Sequence, residues 1–222
     1  MYDFQEQIGF PILTVLTFLP AVAGLVMLLM RGKPKAYKGV ALAATAANFI
    51  LSLVLIAYFD RYTADMQFIE KVPWISSLGV SYHMSVDGIS VLLIMLTALL
   101  SLIIIPASWN YIKEREMQFF VAFLFLETGL IGVFCARDLL LFYVFWEIML
   151  IPMYFIIGIW GGPRRIYAAV KFFLFTFAGS LLMLIAIVAI AYLARTNPYA
   201  TPVFDMDLLE KSIFSYQVQM LA

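Results

Sequence analysis

Cysteine and histidine are almost missing from this chain: one of each occurs in 222 residues, Cys135 and His83. A single thiol excludes an internal disulfide and any multi-cysteine metal centre. A single imidazole excludes a two-histidine haem or zinc site. Charge is scarce too, since only 13% of the residues are Asp, Glu, Lys or Arg, where a soluble domain carries about a quarter. Formal net charge is zero, which gives a nucleic-acid surface no electrostatic support. The first residues, Met1 to Gln7, lack the basic cluster of a cleaved secretion signal, so the first apolar run is read as a retained span. No low-complexity tract, internal repeat or dinucleotide-binding glycine pattern occurs, and Gly161-Gly162 reads as a loop.

What the chain has is hydrocarbon. It is 64% hydrophobic, with a mean hydropathy of +0.99, which excludes a soluble enzyme and places most of the mass in lipid. Runs long enough to cross a bilayer fall at roughly 8–30, 39–59, 86–106, 118–136, 139–160 and 166–193. The tail from 194 starts polar and ends apolar, which reads as the start of a seventh span. The expected fold is therefore an all-α polytopic membrane protein. Asn48 is a candidate interhelical hydrogen-bonding group, and Ser85 or Asp87 can cap the third span. Residues 60–85 form a polar connection, with Trp74 and Tyr82 suited to the membrane surface. The loops after spans 1, 3 and 5 hold eight Lys and Arg residues and the opposite side five. That bias puts the eight-charge side in the cytoplasm and the N-terminus outside.

Three ionisable residues lie inside the spans. Glu147 sits near the middle of span 5, where a charge costs roughly 2.5–3.5 kcal/mol on insertion scales. Its short side chain cannot reach the surface, so it must be protonated, solvated by internal water or paired with a cation. Counted from the cytoplasmic ends at 1.5 Å per residue, Glu147 is roughly 20 Å deep, Glu127 of span 4 roughly 13 Å and Lys171 of span 6 roughly 8 Å. The descending depths suit a water-linked proton path. Two readings stay open beside it: Lys171 can snorkel to the surface, and Glu127 can be a neutral carboxyl bonded to a neighbouring helix. Pro152 frees the carbonyl of Ile148 beside Glu147, either to admit water or as a packing kink. Cys135 reads as a small buried hydrophobe, His83 as a surface residue and Arg137-Asp138 as an interfacial turn pair. The Phe and Met stripes read as lipid-facing and packing side chains.

The stretch Leu141-Phe142-Tyr143-Val144-Phe145-Trp146-Glu147-Ile148-Met149-Leu150-Ile151-Pro152-Met153-Tyr154, followed by Gly158-Ile159-Trp160-Gly161, resembles a known family. So do Ser85-Val86-Asp87-Gly88-Ile89-Ser90, the run from Gly132 to Phe142, and Ala169-Val170-Lys171-Phe172-Phe173. These are similar to the antiporter-like membrane subunits of proton-pumping NADH:quinone oxidoreductase, respiratory complex I, and among them to the chain M (mitochondrial subunit 4) type. The resemblance implies an incomplete version of a fourteen-helix fold, ending before the first inverted repeat is complete. It implies proton transfer at Glu147 with Lys171 on the path, and the depth ladder adds Glu127 to the candidates. The family's main lysine partners fall beyond residue 222. It implies no cofactor in this chain, with NADH, FMN, iron–sulfur clusters and quinone in the rest of the complex. Other membrane subunits, especially neighbouring antiporter-like ones, are the implied partners, and a bacterial inner membrane the location. Two alternatives remain at this point: a subunit of a multisubunit sodium/proton antiporter, and a non-transporting scaffold.

Overall fold

A computed structural model describes residues 3–4, 9–30, 34–195 and 201–212. The expected start of a seventh span lies outside the described residues. Among the described residues, six helices are long and apolar enough to cross a membrane: α1 (Ile12–Leu29), α2 (Pro34–Tyr58), α3 (Gly88–Ser108), α4 (Glu116–Cys135), α5 (Leu139–Trp160) and α6 (Arg165–Leu193). Lipid offers no partner for backbone N–H and C=O groups, so each apolar run satisfies them within its own helix. A short α7 (Met206–Leu209) follows at the end of the bundle that carries the N-terminus, the outer end in the orientation expected from the basic charges.

Helix α4 is the hub. It packs against α1, α2, α3 and α5, whereas α6 lies along α5 at the edge. The α4–α5 contact depends on missing side chains: a Cβ on Gly132 would fall inside the Phe145 ring, and one on Gly129 would collide with Met149. Small residues let two backbones approach closely where hydrophobic burial alone cannot hold helices together. Cys135 is fully buried at the end of α4, as expected of a small hydrophobe.

All-α describes the membrane part only. The polar connection folds as an antiparallel sheet of β1 (Asp3–Phe4), β2 (Gln67–Ile75) and β3 (Val80–Val86), in that order. Lys71 pairs with His83 and Glu70 with Met84 across β2 and β3. Pro73 lies past the two residues that β1 covers, where its missing N–H costs no ladder bond. A register shift between Gln67 and Glu70 surrounds Phe68, which has a positive φ of 55°. Phe68 is packed into the core between the sheet and α1, α3 and α4, and that burial offsets a backbone cost of about 1–2 kcal/mol.

The sheet is fastened to α1 by one carboxylate. Pro11, at the α1 N-cap, supplies no side-chain acceptor. Glu70 of β2 takes the role: Leu13 N and Thr14 N donate to it at 2.8 and 3.0 Å, and the Thr14 hydroxyl also bonds it. The Tyr82 hydroxyl is tied to Thr14 at 2.7 Å, and the side chain is half-buried at this end of α1. Burial pushes the Glu70 carboxyl above its ordinary range, against the pull of the Thr14 and Leu13 hydrogen bonds. The other outer-side helix starts use local caps. Ser90 N donates to Asp87 at 2.7 Å, and Leu140 N and Leu141 N donate to Asp138 at 3.0 and 3.2 Å.

Candidate functional site

Helix α2 presents Thr45, Asn48 and Ser52 on one buried face, each with no exposed area. The spacing of three and four residues stacks them on one side of the helix. Across from them, Glu127 on α4 is 1% exposed. Asn48 Nδ2 donates to Glu127 Oε1 at 2.9 Å, and Ser101 of α3 lies beside the same carboxyl. Glu127 Oε2 and Asn48 Oδ1 are buried acceptors without a protein donor among the described residues. Two acceptors of the cluster thus lack a donor, and a proton on the carboxyl supplies one. Thr17 and Thr128 add two further buried hydroxyls without a partner among the described residues.

Glu147 sits on a different face. It is half-buried on α5, with Tyr143 one turn earlier on the same side and Ser180 of α6 next to that phenol. Its Oε1 is buried and has no donor among the described residues. An unpaired carboxylate oxygen at that depth is costly unless water, a proton or a cation completes it. Pro152 is buried five residues on, and its ring denies the Ile148 carbonyl the usual N–H.

The α4–α5 contact sets the depths. Gly129 faces Phe145 and Met149, so Glu127 and Glu147 stand within about one helical turn, ~5 Å, of each other along the membrane normal. That is closer than counting residues from loop ends suggests, because α4 begins at Glu116, two residues before the expected start of span 4. The carboxylates face apart all the same: Glu127 toward α2 and α3, Glu147 toward α6. Lys171 is brought to neither. It is exposed near the start of α6, its Nζ 5.8 Å from the Tyr167 ring centroid. Ser180, close to Glu147, is nine residues further on, about 14 Å away along the helix. Asn48 was visible in the sequence as a lone amide in an apolar run. Ser101 and Ser180 gave no signal there, and Tyr143 only its four-residue spacing from Glu147.

A second polar network closes the outer end of the bundle, and it corrects the reading of His83. That residue is not on the surface but 1% exposed. A carboxylate only accepts, so His83 Nδ1 donates to Asp205 Oδ2, at 3.1 Å. Lys71 bonds the same oxygen. Arg137 is more than a turn residue: its Nε donates to Asp207 at 2.8 Å and its Nη2 to Glu210 at 2.8 Å. Backbone bonds from Leu139 N to Phe204 O and from Met206 N to Arg137 O clip residues 204–206 onto the α4–α5 turn. Burial alone would raise the Asp205 carboxyl, but hydrogen bonds from His83 and Lys71 prevail and hold it well below the ordinary range. His83, Asp205 and Asp207 together could offer ligands to a metal ion, although Lys71 and Arg137 already neutralise the two carboxylates.

The comparison with known families decides what kind of membrane protein this is. Residues 15–134 match the family model described as NADH-ubiquinone oxidoreductase chain 4, amino terminus. The chain belongs to this family. Residues 136–220 match the transmembrane family described as NADH:quinone oxidoreductase/Mrp antiporter. Among curated relatives, NADH-quinone oxidoreductase subunit M of Rhodobacter capsulatus is 48% identical over 195 residues, covering 86% of this chain and 38% of the relative. The subunit M of Rickettsia typhi is 40% identical over 187 residues, covering 81% and 38%. The chain thus spans under two fifths of the length of the curated relatives it matches. In the solved respiratory complex I of Thermus thermophilus, one chain superposes with a TM-score of 0.78 at 28% identity, over 93% of this chain and 40% of that one. A chain of the Mrp complex from a Dietzia species shares the fold alone, with a TM-score of 0.67 at 20% identity. The chain therefore has the antiporter-like membrane-subunit fold.

Proposed function

We propose that this chain forms part of a proton-translocation path in the membrane arm of a proton-pumping NADH:quinone oxidoreductase. Electrons pass from NADH to quinone in other subunits, which carry the FMN and iron–sulfur clusters. This chain binds no redox cofactor and packs against other membrane subunits, neighbouring antiporter-like ones among them. It lies in a bacterial inner membrane with the N-terminus outside, in keeping with the basic charges at the opposite end.

One observation carries the reading: a carboxylate oxygen of Glu147 is buried at mid-bundle without a donor among the described residues. Glu147 alternates between a protonated state and an ionised state paired with a mobile cation. Approach of the cation favours release of the proton and withdrawal favours uptake. Glu127, with Asn48 and Ser101 around it, holds a second exchangeable proton at nearly the same depth, and Lys171 stands at the cytoplasmic mouth. The test uses the assembled complex in vesicles. Glu147→Gln keeps the shape and removes the titratable group, so NADH-driven proton uptake falls at least tenfold, while Glu147→Asp retains part of it. The tenfold figure is about 1.4 kcal/mol in a barrier. Unchanged pumping by Glu147→Gln would falsify the proposal.

The sodium/proton antiporter reading draws on the second family match, whose description names both kinds of protein. Purification decides between them. Co-purification with flavin and iron–sulfur subunits supports the oxidoreductase, and their absence from a stable complex supports the antiporter. A scaffold without transport would leave Glu147 dry, so failure of deuterium from solvent to reach its carboxyl would favour that reading.

A further inference from the structure

At the inner end of the bundle the α5–α6 turn, Gly161-Gly162-Pro163-Arg164, opens onto a cleft of about 840 Å³. Its upper wall carries Arg164, Arg165 and Lys171, all exposed, and no acidic residue lines it. None of the three cations is ion-paired among the described residues. Its floor is apolar: Ile157, Phe172 and Phe175, the last 81% exposed. A cationic rim over an apolar floor fits neither water alone nor hydrocarbon alone.

The length of α6 says which layer the rim occupies. Its 29 residues extend about 43 Å, against a hydrocarbon core of ~30 Å and ~40–45 Å with both headgroup layers. The excess is more than four residues at each end. Arg165 and Lys171, six residues and about 9 Å apart along the axis, therefore bracket the headgroup layer. The Lys171 ammonium sits 5.8 Å from the centroid of the Tyr167 ring, one turn toward the helix start, which directs it to that layer.

We propose that this cleft binds an anionic phospholipid, its phosphate held between Arg164, Arg165 and Lys171 and its acyl chains laid over Phe172 and Phe175. Arginine pairs with phosphate oxygens through two parallel N–H groups, and a zwitterionic headgroup brings its own cation into a rim that already holds three. The site shares Lys171 with the proposed cytoplasmic mouth of the proton path, whereas Glu147, on the Tyr143 face of α5 near Ser180, lies outside it.

The test uses the protein in nanodiscs of phosphatidylglycerol or phosphatidylcholine, with arginine modification by phenylglyoxal read by peptide mass spectrometry. Phosphatidylglycerol protects Arg164 and Arg165, and phosphatidylcholine leaves them reactive. Native mass spectrometry then counts retained phosphatidylglycerol: Arg164→Ala and Arg165→Ala each weaken retention about fivefold, while Lys113→Ala, outside the cleft at the same end, leaves it within twofold. Equal protection in both lipids means that protein covers the cleft and overturns the proposal. Equal loss from Lys113→Ala overturns it as well, since the attraction is then charge without a site. Either result leaves the Glu147 reading untouched.

Discussion

Glu70 is the residue whose loss should loosen the largest part of this protein for the smallest chemical change. It stands 57 positions from Leu13 in sequence, yet it is the only carboxylate at the start of α1 among the described residues. Glu70→Ala removes the acceptor of two backbone N–H groups and leaves the Thr14 hydroxyl with Tyr82 alone. A hydrogen bond to a charged group contributes about 1.5–3 kcal/mol, and loss of an N-cap costs about 0.5–2 kcal/mol. Desolvation of the carboxylate takes part of this back, which leaves a net loss of about 2–4 kcal/mol. The chain carries its own reporter, because its single thiol, Cys135, is fully buried. Labelling by a fluorogenic maleimide during heating should begin several degrees lower in Glu70→Ala. Glu70→Gln, whose amide still accepts one bond, should fall between. The pH dependence has a definite sign. The folded protein holds the Glu70 proton more tightly than the unfolded chain, so this group's contribution to stability declines as pH rises from its ordinary value of 4.5 through the raised folded value. Tryptophan-fluorescence melts between those limits should show the decline in the wild type and not in Glu70→Gln. A Glu70→Ala protein that labels at the wild-type temperature refutes the capping argument.

Three further outcomes follow from the packing and the polar clusters. Gly132→Leu forces α4 from Phe145 at a cost of at least ~1–3 kcal/mol, read as earlier Cys135 labelling, and a neutral result means the helices are not in close contact there. Asn48→Leu removes the amide donor to Glu127, so the carboxyl stretching band identified through Glu127→Gln should move to higher frequency in infrared difference spectra. An unmoved band means the two side chains do not meet. Asp205→Ala leaves Lys71 and His83 without their shared acceptor and should cost about 1–3 kcal/mol at neutral pH. Because Asp205 is held below its ordinary 3.8, the wild type keeps this contribution above that value and loses it as pH falls below. Melts of the variant and the wild type should therefore converge in strong acid, and parallel curves throughout would count against the ion pair.

Much of the architecture was legible before any coordinates. The six apolar runs, the buried thiol at Cys135 and the lone amide of Asn48 follow from residue type and run length, since hydrocarbon penalises every unpaired polar group in the same way at any position. The sheet was harder to see. Residues 67–86 mix charges with Val, Ile, Phe and Tyr, a pattern that suits a half-buried strand and also an exposed connection. His83 shows the limit most plainly: its burial depends on Asp205, 122 positions away, and nothing near His83 announces that partner.

The sequence by itself determined where the six described spans run, which of them carry acids, and the family to which the chain belongs. Those properties depend on local composition and on motifs read within one segment. Only the tertiary structure decided which side chains meet. It paired Glu127 with Asn48, 79 positions away, turned Glu147 toward α6, and left Lys171 exposed near the start of α6. Helix rotation and depth set these pairings, and both are fixed by side-chain fit between helices, as where Gly129 and Gly132 admit Met149 and Phe145.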